Sequence, residues 1–322
     1  MNLQTKIPLT SSKNQFGYKD KLLLLGSCFA ENIGQKLEYY KFQATTNPFG
    51  ILFHPLAIER VLLDACEDRD MEETIFELDG VWKSFVAHSR LNATSRGVLL
   101  DRLNNAKSQL RNTVKEASHI FITLGTAWAY QHTPTGVLVA NCHKIPQNQF
   151  AKGLLPISEI TASLERQIAF IKKLNPKAQI VFTVSPVRHL KDGFVENNRS
   201  KAHLLSAIHE VCESGSASYF PAYELMMDEL RDYRFYASDM LHPSEQAVDY
   251  IWEKFLEVYA GVYTERSRST KTYDTLKEVG IIQAGLSHRP FNTESEQHKS
   301  FLMKLNERME NLQKQYPYID FK

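Results

Sequence analysis

The stretch Leu22-Leu23-Leu24-Leu25-Gly26-Ser27-Cys28-Phe29-Ala30 constrains the fold most, because four leucines run into Gly-Ser-Cys without a polar interruption. A half-exposed strand would alternate apolar and polar residues; an unbroken apolar run predicts a strand buried on both faces of a parallel sheet. Beyond it Phe29, Ile33, Leu37 and Tyr40 recur at helical spacing, so Gly26-Ser27-Cys28 forms the corner where strand hands over to helix. A thiol at a helix N-terminus faces unpaired backbone N–H groups and the positive end of the helix dipole, both of which favour the thiolate. A cysteine beside an apolar strand is more often a small buried hydrophobe, so the corner gains chemical meaning only from what lies downstream.

Two further apolar runs, residues 120–124 and 180–184, end in Gly125-Thr126-Ala127-Trp128 and Ser185-Pro186. With helix-length spacers between them, the three runs predict an α/β fold: a parallel sheet covered by helices on both faces, its apolar runs on adjacent or near-adjacent strands. Ile160, Leu164, Ile168 and Ile171 mark one helix after Pro156, residues 200–211 another, and Ala247, Val248, Ile251, Trp252, Phe255, Leu256 and Tyr259 a third. Short strands are expected at residues 42–46 and 218–220. Asp79-Gly80 between residues 74–78 and 81–87 predicts a hairpin insertion, since this dipeptide suits the turn whose twist matches paired antiparallel strands.

Past Gly261 the composition changes, and residues 264–271 read as a polar linker. Phe301, Leu302, Leu305, Met309 and Leu312 then have helical spacing, suited to packing on the domain or, in a homodimer, on a second copy. The expected organisation is a catalytic domain over 1–262 and a linker with helical extension over 263–322.

Open α/β sheets place their sites outside the carboxyl ends of the strands. That rule gathers Gly26-Ser27-Cys28, Asn47-Pro48-Phe49-Gly50, Gly125, Arg188-His189 and Asp239-Met240-Leu241-His242-Pro243 on one edge. Cys28 or Ser27 would be the nucleophile, His242 its base, and Asp239 the carboxylate that fixes the His242 tautomer. His242 and the helix N-terminus together would lower the pKa of the Cys28 thiol. Arg188 could pair with a substrate carboxylate or phosphate. The eleven histidines show no His-x-x-x-His spacing, and no metal or other cofactor is expected.

The formal net charge of +1, with both signs interspersed, provides no global field to attract nucleic acid or an anionic membrane. Residues 1–8 lack a long apolar stretch and a small-residue cleavage site, no membrane-length apolar window occurs, and the four cysteines are scattered without CxxC spacing; a cytoplasmic protein without a leader and with reduced thiols is expected.

Gly26-Ser27-Cys28-Phe29-Ala30 near the N-terminus resembles the signature of the GSCFA-domain family, and Asp239-x-x-His242-Pro243 before a helix is similar to the last block of the SGNH (GDSL-like) hydrolases. The resemblance covers about residues 20–260. It implies a flavodoxin-like three-layer α/β/α sandwich and an acyl-transfer enzyme: an esterase, deacetylase or acyltransferase acting on a small acylated substrate such as a carbohydrate. The nucleophile of the SGNH block is its third residue, which favours Cys28; a one-residue shift selects Ser27. Where that family reads Gly-x-Asn-Asp this chain has Gly125-Thr126-Ala127-Trp128, so the oxyanion-hole asparagine is missing. Asn47 would substitute, with the backbone N–H groups of Cys28 and Gly50 as the other donors. The altered block equally suits a degenerate binding module that keeps the fold without catalysis.

Overall fold

The computed structural model describes residues 4–262 and 270–321. In chain order it contains β1 (Lys21–Gly26), α1 (Cys28–Tyr39), β2 (Gln43–Thr46), α2 (Pro55–Glu67), β3 (Ile75–Leu78), β4 (Val81–Ser84), α3 (Arg96–Glu116), β5 (His119–Leu124), β6 (Trp128–His132), β7 (Val137–Val139), β8 (Phe150–Leu154), α4 (Ile157–Leu174), β9 (Gln179–Val184), α5 (Phe194–Glu213), β10 (Ser218–Tyr219), α6 (Ala222–Glu224), α7 (Glu245–Tyr259), α8 (Lys271–Ser287) and α9 (Glu296–Gln315). The chain divides into two compact units. One holds Met1–Ile7, Lys21–Gly34 and Thr45–Ile251, and the other Pro8–Asp20, Gln35–Ala44 and Trp252–Lys322.

The first unit is built on a five-stranded sheet of order β10-β9-β5-β1-β2. Renumbered by their order in the chain, these strands run 5-4-3-1-2, the flavodoxin-like winding read from its far edge. The three apolar runs are neighbours: Leu23 pairs with Ile120 and Ile120 with Ile180, all parallel. β5 is buried along its whole length, as expected of a central strand covered on both faces. Leu23, Leu25, Ile120, Ile122, Phe182 and Val184 point to one face, against Ile58, Leu103, Leu164 and Leu204 of α2, α3, α4 and α5. The winding reverses between β1 and β5, and a doubly wound sheet opens its ligand crevice where its strand order reverses.

Two additions decorate this unit. The β3–β4 hairpin closes through Asp79 (φ 52°) and Gly80 (φ 71°), both left-handed as its two-residue turn requires, with Leu78 opposite Val81. The other addition is an antiparallel sheet of order β7-β6-β8 between β5 and α4, for which the sequence pattern provides no expectation. Its strands pair Trp128 with Leu154 and Tyr130 with both Lys152 and Val139, and most of their side chains are at least partly exposed.

In the second unit, Phe42 stacks on Tyr18 with ring centroids 4.2 Å apart and meets Phe16 edge-on at 5.6 Å. Tyr18 also meets Tyr316, at 5.4 Å. Residues 8–20 and 35–44 thus share a core with the C-terminal tail. The tail's aromatic partners come from the N-terminal part of the chain. The expected tail helix is α9, and α8, not anticipated from the spacing, precedes it with Leu276, Val279 and Ile282 buried. Thr270 caps α8 by accepting from the Tyr273 N–H; residues 263–269 of the expected linker lie outside the described residues.

Candidate active site

The corner after β1 is fixed by hydrogen bonds that a backbone turn would otherwise leave unmade. Gly26 sits at φ +122°, and a Cβ there would lie 2.0 Å from the Thr123 carbonyl oxygen of β5, so only glycine fits. Its N–H donates to Asn47 Oδ1 at 2.8 Å. Ser27 is fully buried; its N–H donates to Thr123 O, its carbonyl accepts from Ala30 N, and its Oγ accepts from Phe29 N at 3.3 Å. Ser27 thus occupies the cap position of α1 and Cys28 its first turn. Cys28 is the more accessible of the two, being only half-buried.

The expected depression of the Cys28 pKa does not hold. Burial pushes the thiol above its usual value, opposed by the Lys201 ammonium and the Phe29 and Cys28 backbone N–H groups, while Glu31 adds to the rise. The helix N-terminus acts in the expected direction but is outweighed by desolvation.

Asp239 and His242 form the expected pair. Asp239 Oδ1 accepts from the backbone N–H groups of Leu241 at 2.9 Å and His242 at 3.0 Å, and its Oδ2 lies 2.6 Å from His242 Nδ1. Those backbone bonds, foremost that from His242, and then the ring contact hold the carboxyl down at about 2. With Nδ1–H committed to the carboxylate, Nε2 is the ring atom left to handle protons. The turn carrying the pair closes through Ala237 N–H to His242 O, with Met240 left-handed at φ 59°. It is brought to the end of β9 by a 3.3 Å bond from Arg188 N to Leu241 O. Among the described residues, no hydrogen bond joins the His242 ring to Cys28 or Ser27.

The expected oxyanion donors are engaged elsewhere. Asn47 is buried, with Oδ1 on Gly26 N–H and Nδ2 toward Glu31 at 3.5 Å; the Gly50 N–H donates to Asn47 O at 2.8 Å. Gly125 N–H likewise donates to Phe53 O at 2.8 Å. Asn47 and Gly50 therefore brace the corner, and of the expected donors the Cys28 N–H remains, beside its own sulfur.

Three side chains within five residues of α5 pin the loops after β5 and β9. Asn197 Oδ1 accepts from His189 N, Ser200 Oγ accepts from Ala127 N at 2.7 Å, and Lys201 Nζ donates to both Gly125 O and Ser185 O at 2.7 Å. Lys201 is 1% exposed, and burial, countered by the Cys28 thiolate, lowers its amine to about 7. No motif points to this lysine. The helical period does, because Leu204, Ile208 and Val211 are core positions and stepping back two turns from Ile208 lands on Lys201.

His189 stands where the loops meet. Burial, and after it the Lys201 charge, pushes its imidazole down to about 4. Its buried Nε2 has no hydrogen-bond partner among the described residues, and a Cβ placed on Gly125 would lie 3.3 Å from that atom. His189 lines a cleft of about 570 Å³ between the Arg188–Asp192 loop and the β6–β7 insertion, with Phe53, Trp128, Tyr130 and His143 among the other walls. His143 Nδ1 is a second buried ring nitrogen without a partner in that lining. Arg188 belongs to this cleft and to a neighbouring one of about 560 Å³ that also includes Asp239. Cys28 is not among the lining residues; His189 is, and its electrostatic neighbours are Lys201, Asp192 and His242.

The GSCFA family model matches residues 21–255, from the first residue of β1 into α7. The chain belongs to the GSCFA family. The model for the C-terminal domain of GSCFA domain proteins matches residues 279–322, covering the end of α8 and all of α9. No curated protein matches this GSCFA chain. Among solved structures it is similar to an acetyl xylan esterase (Est2A) from the rumen bacterium Butyrivibrio proteoclasticus, at 11% identity and a TM-score of 0.39. That similarity covers 79% of this chain and 64% of the esterase, so the chain spans less than two thirds of that protein's length. The functional reading rests instead on the side chains of the GSCFA corner and of the Asp239–His242 turn. Among the described residues, no helix is long and apolar enough to cross a membrane.

Proposed function

We propose that this GSCFA protein is an acyl-transfer enzyme of SGNH-like design, with Cys28 as nucleophile. The observation that carries the reading is the Asp239–His242 pair, built by three bonds to one carboxylate and held beside the carboxyl ends of the strands, the edge on which the Cys28 corner lies. The Cys28 thiolate would attack the carbonyl carbon of an ester or thioester, forming a C–S bond. The Cys28 N–H supports the developing oxyanion, and the His242 imidazolium, stabilised by Asp239, returns a proton to the departing oxygen or sulfur. Water or an acceptor hydroxyl then releases the acyl group, which makes the enzyme a hydrolase or a transferase.

The absence of a His242–Cys28 hydrogen bond requires the ring to approach the thiol when substrate binds, in keeping with catalytic contacts that tighten only in the complex. Ser27 is the less suitable nucleophile because its Oγ is buried and already caps α1. Trp128 and Tyr130 would hold the body of a small acylated substrate in the larger cleft, with Arg188 available to a carboxylate or phosphate on it.

Incubation with a panel of activated acyl esters, followed by intact-mass measurement and peptide mapping, tests this. An acyl adduct should form on Cys28, persist in Ser27→Ala and vanish in Cys28→Ala. An adduct on Ser27 would reverse the nucleophile. A folded protein that neither acylates nor turns over any ester would leave a binding module.

A further inference from the structure

We propose that the smaller cleft, of about 560 Å³ beside the Asp239–His242 turn, is a second ligand site that takes an anion with an apolar body. The proposal rests on the reading of that turn as catalytic and deepens it, because separate donor and acceptor sites make the enzyme a transferase.

The two clefts share a wall. Arg188, Leu190 and Leu241 line both, whereas Asp239 of the catalytic pair lines only the smaller. Ligands in the two clefts would be separated by that wall alone, with the pair at its edge.

The Arg188 side chain identifies the chemistry of the smaller site. Its Nη2 donates to Met227 Sδ at 3.2 Å, and the Tyr236 hydroxyl reaches the same sulfur at 3.9 Å. Met227 and Tyr236 line the smaller cleft and not the larger, so the guanidinium serves the smaller one. A thioether is a weak acceptor, while a guanidinium matches the paired oxygens of a carboxylate or phosphate. Two strong donors thus converge on an acceptor that satisfies neither well. Arg231 adds a second guanidinium to the lining, and among the described residues neither arginine has a carboxylate partner. The acids that line the cleft are already engaged. Asp232 accepts from the Arg234 N–H at 2.9 Å and from its guanidinium at 2.8 Å, and Asp239 holds its own turn and the His242 ring.

Much of the remaining lining is apolar. Met226 and Met227 come from a single π turn, Leu225–Glu229, closed by Leu230 N–H to Leu225 O; such turns are frequent at functional sites. Methionine side chains adapt to irregular apolar shapes, and Phe194, Tyr233 and Met240 stand exposed in the same lining. A small inorganic anion would leave that apolar surface uncovered. A hydrocarbon would leave both guanidiniums without an acceptor. An alkyl phosphate or alkyl carboxylate satisfies both, and the cleft is of the size that holds a small organic ligand.

The test is isothermal titration calorimetry on the full-length protein with octyl phosphate, octanoate, octanol and inorganic phosphate. At least one of the two alkyl anions should bind about tenfold or more tighter than octanol and inorganic phosphate. Preference for octyl phosphate assigns a phosphate to the natural ligand, and preference for octanoate a carboxylate. Arg188→Gln and Arg231→Gln should each weaken the preferred anion by about tenfold, and Tyr236→Phe should weaken it less. Octanol or inorganic phosphate binding as tightly as the better anion, or no probe binding at all, overturns the proposal. So does an affinity that falls in Arg188→Gln yet is unchanged in Arg231→Gln and Tyr236→Phe, since Arg188 also lines the larger cleft. If Arg188→Gln does not fold, the exposed Arg231 and the single hydroxyl of Tyr236 carry the test. Anion binding by a protein that transfers no acyl group would sink the proposed function alone; acyl transfer by a protein that ignores these anions would sink this inference alone.

Discussion

Asn47→Ala separates two roles that the residue's identity cannot distinguish, brace and oxyanion donor. The substitution removes the Oδ1 acceptor of the buried Gly26 N–H. Orphaning a buried donor costs about 1–3 kcal/mol. Asn47 also sits at φ 45°, where asparagine is tolerated and alanine pays a steric penalty of about 1 kcal/mol. The expected loss is therefore about 2–4 kcal/mol, measured by urea unfolding followed by tryptophan fluorescence. Asn47→Gly removes the same acceptor without the steric penalty and should be the milder change of the two. Turnover of an ester selected from the panel should fall only as far as the corner loosens. If Asn47→Ala were within about 0.5 kcal/mol of wild type yet lost about a hundredfold in turnover, Asn47 would be an oxyanion donor and the bracing account would be wrong.

Three further outcomes are expected. The Lys201 amine titrates at about 7 in the fold and at about 10.4 in the unfolded chain, so over that window the unfolded state holds a proton the folded state lacks. Its contribution to stability should then rise with pH from about 7 toward about 10, by at most about 1.4 kcal/mol per unit. Urea unfolding at several pH values should show this slope as a difference between wild type and Lys201→Met. Cys66 and Cys212 are pushed up to about 11 by burial, whereas Lys201 restrains the rise at Cys28, so at mildly alkaline pH Cys28 should alkylate before either; simultaneous labelling of all three would refute this. Finally, the His189 imidazole should stay neutral until about pH 4 in NMR titration, because its charged form is desolvated and repelled by Lys201. A midpoint in the ordinary histidine range would mean the ring is open to water.

The parallel strands were legible because burial on both faces leaves an unbroken apolar run, as at residues 120–124, and because Asp79-Gly80 tolerates the left-handed backbone its hairpin needs. The β6–β8 insertion was illegible for the complementary reason. Stretches such as Trp128-Ala129-Tyr130-Gln131-His132 are partly exposed and held mainly by main-chain pairing, which leaves no run and no strict alternation. The pairing of Asp239 with His242 followed from their spacing in one turn. The donors near Cys28 did not follow from residue type, since the Asn47 amide N–H points to Glu31 and the Gly50 N–H is spent on the Asn47 carbonyl. Lys201 escaped attention because lysine is read as solvated, and only its place in the period of Leu204 and Ile208 betrays an interior position.

Because β6, β7 and β8 are spliced into a single crossover between β5 and α4, the wall of the larger cleft and the Cys28 corner are written in separate passages of the chain. Residues 128–154 can diverge or be exchanged between relatives without altering the β1–β5 register or Gly26's approach to Thr123. A chimera carrying another protein's insertion should keep the geometry of the Cys28 corner while changing part of the lining of the cleft.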